Sequence, residues 1–178
     1  METMLRTRSG KIALFSVMVA ATTVANLIMV PMPQPLAEYD LSPVLIYALG
    51  VLVNPALAGL IVAVAQGLGT GYKMVIYGFP PVFVLGAMLV RGVEASLISL
   101  LVRARKPTGS RAVSPWEITA MVVGVIWETI GFFVADWILF GLGMAMTVLL
   151  TIVDAIFIPP AVAIVAAVRR SLGVERLM

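Results

Sequence analysis

The sequence predicts an all-α integral membrane protein, with six transmembrane helices in one compact bundle and both termini in the cytoplasm. Of its 178 residues, 61% are hydrophobic and 12% are charged, and the mean hydropathy is +1.09. Soluble domains hold roughly 45–50% apolar and about 25% charged residues, so this composition lies outside their range. Since each crossing of roughly 30 Å takes roughly 20 apolar residues, the chain is long enough for about six.

Turn-forming residues divide the apolar sequence into six spans. The first, 12–30, ends at the proline-rich PMPQPLAEYD, predicted to be an external loop. Asn54-Pro55 interrupts the next long apolar run, which predicts a helical hairpin of two short spans, 42–53 and 55–69, followed by the loop GTGYKMVIYGFPP. The remaining spans are 80–102, 116–139 and 144–168, and Pro159-Pro160 should kink the last one.

The basic residues support six spans and fix their orientation. Ten of the twelve fall on one side of a six-span arrangement: Arg6, Arg8, Lys11, Arg103, Arg105, Lys106, Arg111, Arg169, Arg170 and Arg176. Lys73 is then outside and Arg91 is within the membrane. Five or seven spans would split these clusters across the bilayer. By the positive-inside rule, both termini are cytoplasmic.

Missing residue types narrow the chemistry. The sequence has no cysteine and no histidine, which removes thiolate nucleophiles, imidazole bases and the commonest zinc ligands. It has no G-x-x-x-x-G-K-[ST], G-x-S-x-G or H-E-x-x-H motif. We therefore expect neither an enzyme nor a metal or cofactor site. Energy for any uphill transport would come from a partner or from an ion gradient.

Ionisable side chains inside the predicted spans are the candidate site. They are Arg91, Glu94, Glu128, Asp154 and, nearer the outer end of its helix, Asp136. Each charge at the bilayer centre costs about 2.5–3.5 kcal/mol on insertion scales, so such residues normally face the bundle interior and often mark a substrate or ion path. One arginine cannot neutralise four acids. An unmet negative charge is therefore left for a cation, a proton or a hydrogen-bond donor.

Some of these residues also have a purely structural explanation. Arg91 and Glu94 share a helix face and could pair with each other, or Arg91 could pair with Glu128. Asp136 could be an interfacial charge beside Trp137. For Glu128 and Asp154, about level in the bundle, we favour ligand contacts.

Aromatic residues gather near the same predicted region. Trp127 and Phe132 on span five, with Tyr72 and Tyr77 in the third loop, are the expected walls of a small-molecule pocket. An aromatic belt at the outer interface explains Tyr39 and Trp137 at least as well, but Trp127 lies too deep for it.

Span one carries small residues at four-residue spacing. Ser16 with Ala20, and Ala21 with Ala25, would let another helix approach closely in lipid. That helix could belong to the same bundle or to a partner protein.

Together these features resemble the substrate-binding S component of energy-coupling factor (ECF) transporters. The resemblance covers nearly the whole chain and rests on the small residues of span one, the hairpin VLVNPALAGLIVA, the basic loop after span four and the glycine-terminated VIWETIGFFVADWILFG. It implies a vitamin-binding site at the outer ends of spans four to six. It also implies a membrane-embedded coupling protein and two cytoplasmic ATPases as partners, docked on Ala21 and Ala25 with Ser16 and Ala20 adjacent.

The leading hypothesis is accordingly a multi-pass subunit of the cell membrane that captures a micronutrient. Many S components have asparagine or glutamine where this chain has Asp154, which argues against riboflavin and biotin. The acid excess favours a cationic or donor-rich ligand such as thiamine, its pyrimidine precursor or a queuosine precursor. The alternative is a self-contained proton- or cation-coupled carrier or channel. The chain lacks the internal repeat common in such carriers.

Overall fold

A computed structural model of the chain describes residues 8–30, 39–78, 80–105, 112–173 and 175–177. Within these ranges, five helical segments are long and apolar enough to cross a membrane, and a further apolar helix, Ser42–Leu52, is shorter. The predicted all-α class and the multi-pass character are consistent with these helices. The predicted loop residues Lys106 and Arg111, and Arg6 near the N-terminus, lie outside the described residues.

The described residues form seven α-helices, one 3-10 helix and two short strands. In chain order they are α1 (Arg8–Leu27), α2 (Ser42–Leu52), α3 (Pro55–Tyr77), α4 (Val82–Arg103), α5 (Pro115–Phe140), α6 (Leu142–Val148), a 3-10 helix (Leu149–Phe157) and α7 (Ile158–Leu172). Between α1 and α2, two short strands, β1 (Met29–Val30) and β2 (Tyr39–Asp40), pair antiparallel, with Met29 opposite Asp40. This pairing holds β2 against the end of α1.

The predicted boundary at Asn54-Pro55 is confirmed, but the two halves of the hairpin are unequal. The Asn54 side chain accepts a hydrogen bond from the backbone of Leu57 at 3.0 Å, which caps the start of α3. Helix α2 has 11 residues and is about 16 Å long, too short to cross the hydrocarbon, whereas the 23 residues of α3 reach about 34 Å. The helix in the predicted span 42–53 is therefore shorter than the hydrocarbon core is thick.

Helix α3 also continues through most of the predicted third loop, as far as Tyr77. We expected the glycines after residue 68 to break the helix. Instead, Gly69 lies against the Asn26 side chain, and a Cβ at this position would collide with it. The helix ends at Gly78, whose φ of 71° is left-handed and favours glycine. The glycine at 69 thus serves close packing rather than a turn.

The last predicted span, 144–168, is divided into three pieces. Pro159 and Pro160 lie in the first turn of α7, where a missing backbone N–H costs little, so they begin a helix rather than kink one. The nine residues before α7 adopt a 3-10 helix, an unusually long run for this conformation. This segment carries Asp154.

Close packing of α3 on α4 builds the middle of the bundle. A Cβ on Gly59 would lie 2.9 Å from the carbonyl oxygen of Gly92, and a Cβ on Gly92 would lie 3.2 Å from the Cβ of Ala63. Both glycines therefore let the helix backbones approach. Ile46 and Tyr47 of the short helix α2 are fully buried, so α2 lies in the core.

One end of the bundle gathers the basic residues, and we call it the basic end. The backbone N–H of Leu177 donates to the carbonyl of Leu52 at 2.9 Å, which joins the C-terminal residues to the end of α2. The side chain of Lys11 lines a groove with Asn54 and Leu57, so α1 begins at this end too. Its described basic residues are Lys11, Arg103, Arg105, Arg169, Arg170 and Arg176. The strands β1 and β2 lie at the other end of α1.

Candidate functional site

Arg91 is the hub of a buried polar cluster, which we call the Arg91 centre. Its side chain is only 6% exposed. Its Nε donates to Oε1 of Glu128 at 2.8 Å, and its Nη1 donates to Oδ2 of Asp40 at 3.0 Å and to Oγ of Ser42 at 2.8 Å. Arg91 therefore pairs with Glu128 rather than with Glu94. It ties α4 to α5 and to the segment that begins α2.

Asp40 is a functional candidate that the sequence did not reveal. It lies in β2, which we expected to be part of an external loop, yet it is 3% exposed. Its carboxylate accepts from Arg91, from Asn26 Nδ2 at 3.0 Å and from the backbone N–H of Ser42 at 2.8 Å. Burial acts to raise the pKa of Asp40, but Arg91, Lys73 and Ser42 outweigh it and hold that pKa below its usual value.

Lys73 is the second cation of the centre. We placed it outside the membrane in the third loop, but the extension of α3 carries it into the bundle, where it is buried. Its Nζ lies 3.5 Å from Oδ2 of Asp40. Arg91 and Lys73 thus converge on the same carboxylate from two helices.

Two amide side chains complete this part of the centre. Asn26 Nδ2 donates to Oε1 of Gln66 at 2.8 Å, and Gln66 Nε2 donates to Oγ of Ser42 at 2.9 Å. All three residues are buried. Sequence reasoning missed them because it considered only ionisable residues, although Asn26 and Gln66 stand out as polar residues within long apolar runs.

Three predicted acids are buried on the other side of Arg91 with too few donors. Glu94 and Glu128 are fully buried and Asp154 is 1% exposed. Among the described residues, neither oxygen of Glu94 has a hydrogen-bond partner, and the same is true of Oε2 of Glu128 and Oδ1 of Asp154. Glu94, Glu128 and Asp154 lie within electrostatic reach of one another. The structure therefore brings Arg91, Glu94, Glu128 and Asp154 together.

The charges of the centre do not balance. Its described residues supply four carboxyl groups, Asp40, Glu94, Glu128 and Asp154, and two cations, Arg91 and Lys73. A buried carboxylate without donors is costly, so the excess must be met by protons or by a bound donor. In the described part of the chain, no three acidic side chains lie close enough together to hold a metal ion. The excess of carboxyl groups suits protons or a hydrogen-bond donor group.

The predicted aromatic walls have different surroundings. The ring of Phe132 lies 5.9 Å from Cζ of Arg91, so it borders the centre. Trp127 is partly exposed, and its Nε1 donates to the carbonyl of Val90 at 3.1 Å, which packs the indole on the backbone of α4. Tyr72 and Tyr77 are each 56% exposed on α3. The structure does not bring these two tyrosines to the buried centre.

From the sequence, an aromatic belt at the membrane interface explains Tyr39 at least as well as a pocket does. In the structure, Tyr39 is buried in the interior. It is 4% exposed, and its hydroxyl has no hydrogen-bond partner among the described residues. Burial, followed by the negative charges of Asp154 and Glu128, raises the pKa of Tyr39 to about 12. Tyr39 therefore remains a neutral donor near these two acids.

Asp136 is separate from the centre. It lies eight residues beyond Glu128 on α5 and is buried, but makes no ion pair with a described residue. Glu128, Phe132 and Asp136 are spaced four residues apart on α5, but only Glu128 and Phe132 lie next to Arg91.

Comparison of the chain with protein families, with curated proteins and with solved structures finds no match.

Proposed function

We propose that the chain is the membrane-embedded substrate-binding subunit, or S component, of an ECF-type importer, and that it binds a vitamin-like molecule at the Arg91 centre. One observation carries the binding role: buried carboxyl oxygens of Glu94, Glu128 and Asp154 have no hydrogen-bond donor among the described residues. Charge-assisted hydrogen bonds are roughly twice as strong as neutral ones, so a ligand with cationic or multiple N–H groups would gain most there. Thiamine and its pyrimidine precursor have this character.

The surface of α1 supports a partner in the membrane. Ser16, Ala20 and Ala21 are exposed, and only 22% of the apolar window of α1 is buried, against 33–44% in the other four long segments. The small side chains of these three residues would let a partner helix approach closely there. Ala25 is buried and packs inward, so the proposed docking face for a coupling protein consists of Ser16, Ala20 and Ala21.

The proposed orientation places the basic end in the cytoplasm, where two ATPase subunits would bind the coupling protein. The chain would then pass the bilayer six times, with α2 as a short inner pass enclosed by its neighbours. Asp40 and Tyr39 would approach the Arg91 centre from the outside, the side from which an importer receives its substrate. Basic residues gathered at one end support this orientation.

The same charge imbalance favours a second candidate, a carrier that moves protons or another cation by itself. Glu94, Glu128 and Asp154 would then form a relay within the membrane. The two functions differ in what the purified chain does without partners. A binding subunit retains a small molecule, whereas a carrier transports.

Mass spectrometry of small molecules released from the purified full chain tests the proposal. We expect one compound at about one per chain, and calorimetric binding of thiamine is the first specific probe. The Asp154→Asn variant should bind at least roughly tenfold more weakly, since one charge-assisted hydrogen bond is worth about 1.5–3 kcal/mol. Asp136→Asn, a buried acid outside the centre, is the matched control and should bind normally.

Proteoliposomes provide the opposing measurement. The chain alone, with a pH-sensitive dye inside the vesicles, should give no proton flux when an external pH step is applied. Proton flux that disappears in Asp154→Asn, together with no retained compound, would establish the carrier instead.

A further inference from the structure

A second polar site lies at the basic end, away from the Arg91 centre. It is a cavity of about 200 Å³ between the end of α4, the start of α5 and the residues Glu175 and Arg176. Its lining residues are Val102, Arg105, Ser114, Pro115, Trp116, Glu117, Glu175 and Arg176. Arg105 is 14 residues beyond Arg91, which corresponds to about 20 Å along a helix. Nothing in the proposed substrate site uses this cavity.

The arginines of this cavity are positioned by the backbone and by an aromatic ring. Arg176 Nη2 donates to the carbonyls of Val102 at 3.2 Å and Arg105 at 3.5 Å, while its buried Nε has no partner among the described residues. The guanidinium of Arg105 lies 4.2 Å from the ring centroid of Trp116, whose Nε1 donates to the carbonyl of Leu101 at 2.8 Å. Both guanidiniums are therefore held in place without a carboxylate partner among these contacts.

Positive charge exceeds negative charge around the cavity. Glu117 is already engaged, because Arg169 Nη2 donates to its Oε1 at 2.6 Å and Ser114 N donates to its Oε2 at 2.8 Å. Arg103 lies close enough to Arg176 for the two guanidiniums to repel each other. Apart from the Arg169–Glu117 pair, the charged residues described around the cavity are Arg103, Arg105, Arg176 and Glu175. An anion would relieve this repulsion.

A phosphate group fits the donors and the location. Guanidinium N–H groups match phosphate oxygens in geometry and charge, and the start of the 26-residue helix α5 adds the positive end of its dipole. The site lies where the apolar helix α4 ends and the apolar helix α5 begins, which is the level of lipid headgroups. Val102 and Trp116 give the cavity an apolar wall beside the arginines. We propose that this cavity binds the phosphate of an anionic phospholipid from the leaflet at the basic end.

Native mass spectrometry and thermal unfolding of the full chain test this site. The probes are mixed micelles containing phosphatidylglycerol, the same micelles with phosphatidylcholine, and inorganic phosphate in neutral detergent. Phosphatidylglycerol should stay bound after collisional removal of detergent and should raise the unfolding temperature, whereas phosphatidylcholine should do neither. Equal retention of the two lipids would overturn the proposal. Stabilisation by millimolar inorganic phosphate with no preference between the lipids would identify a soluble phosphate as the ligand and overturn the lipid assignment.

Variants separate this site from the general basic character of the surface. Arg105→Gln removes a lining guanidinium that packs on Trp116 and bonds no backbone group among the described residues, so the fold should persist. The preference for phosphatidylglycerol should fall about fivefold, near the effect of one basic residue at an anionic surface. Adding Arg176→Gln should abolish the preference. Arg170→Gln, an exposed arginine at the same end that does not line the cavity, is the control and should bind as the wild type does. Unchanged lipid preference in Arg105→Gln, or an equal loss in Arg170→Gln, would refute a defined site.

Discussion

Arg91 and Glu128 form a buried ion pair, with Nε of the arginine 2.8 Å from Oε1 of the glutamate. The pair joins the middle of α4 to the middle of α5 in a bundle whose other contacts are largely apolar. Because Arg91 also bonds Asp40 and Ser42, one guanidinium connects three parts of the chain. The stability of the bundle should depend on it.

Arg91→Met should destabilise the fold strongly. The variant leaves Asp40 and Glu128 buried without their main partner, and breaking a buried ion pair costs about 3–5 kcal/mol. Thermal or denaturant unfolding in a fixed detergent measures the change. Arg170→Met, at an exposed position, should stay within about 0.5 kcal/mol of the wild type. A loss below about 1 kcal/mol in Arg91→Met would show that the centre is not a structural hub.

Glu94→Gln and Glu128→Gln should differ although both replace a fully buried glutamate. Neither oxygen of Glu94 accepts a bond from a described residue, so the neutral amide should cost less than about 1 kcal/mol or should stabilise the chain. Glu128→Gln weakens the pair with Arg91 and should cost about 2 kcal/mol or more. Unfolding of the two variants side by side provides the measurement. Equal losses would mean that Glu94 has an essential partner.

Asp40 should make stability depend on pH in the acidic range. Its pKa in the folded protein lies below the usual value of 3.8, so its contribution is complete above the unfolded pKa and is lost as the pH falls through the lower, folded value. Asp40→Asn should therefore be less stable than the wild type at pH 7. The difference between the two should be constant down to about pH 4 and should shrink below it. A difference that widens on acidification would contradict the role of Arg91 and Lys73.

Gly69→Ala and Gly71→Ala test how closely α3 approaches α1. A Cβ at residue 69 would collide with Asn26 and disturb its bonds to Asp40 and Gln66, so we expect a loss of about 1–3 kcal/mol. A Cβ at residue 71 meets no atom within 4 Å, and there the higher helix propensity of alanine should stabilise by up to about 1 kcal/mol. Both changes are Gly→Ala in one helix and are compared by thermal unfolding. The same sign for both would contradict the packing.

Apolar length and composition were sufficient to predict the approximate positions of α1, α4 and α5 and the boundary at Asn54-Pro55. They were not sufficient for the short helix α2, because a continuous apolar run does not reveal whether lipid or protein surrounds it. The sequence predicts an excess of acids over cations in the membrane, but one of the four acids at the Arg91 centre is different. Asp136 lies apart from the Arg91 centre, while Asp40 belongs to it. Which residues pair depends on helix rotation and on where a loop folds back, and neither is encoded in local spacing.

The position of Lys73 shows that glycines in a sequence do not by themselves predict the end of a helix. The sequence Gly69-Thr70-Gly71 was interpreted as the start of a loop, since glycine disfavours helices in isolation. Packing against Asn26 instead makes Gly69 favourable within α3, and the helix then carries Lys73 to Asp40. A tertiary contact therefore outweighed the local preference and supplied the second cation of the centre.

The exposed face of α1 is the proposed docking surface for the coupling protein, and a substitution there tests it. Ala21→Leu adds bulk on the proposed docking face, so co-purification with the coupling protein and its ATPases should fall by about tenfold or more, while stability and ligand retention of the isolated chain should not change. Ala163→Leu, the same change at an exposed position of α7, is the control and should leave the complex intact. Equal complex recovery from both variants would place the docking surface elsewhere. Loss of the complex in both variants would mean that added bulk at either position prevents assembly. The loss would then not be specific to α1, which would contradict the role proposed for Ser16, Ala20 and Ala21.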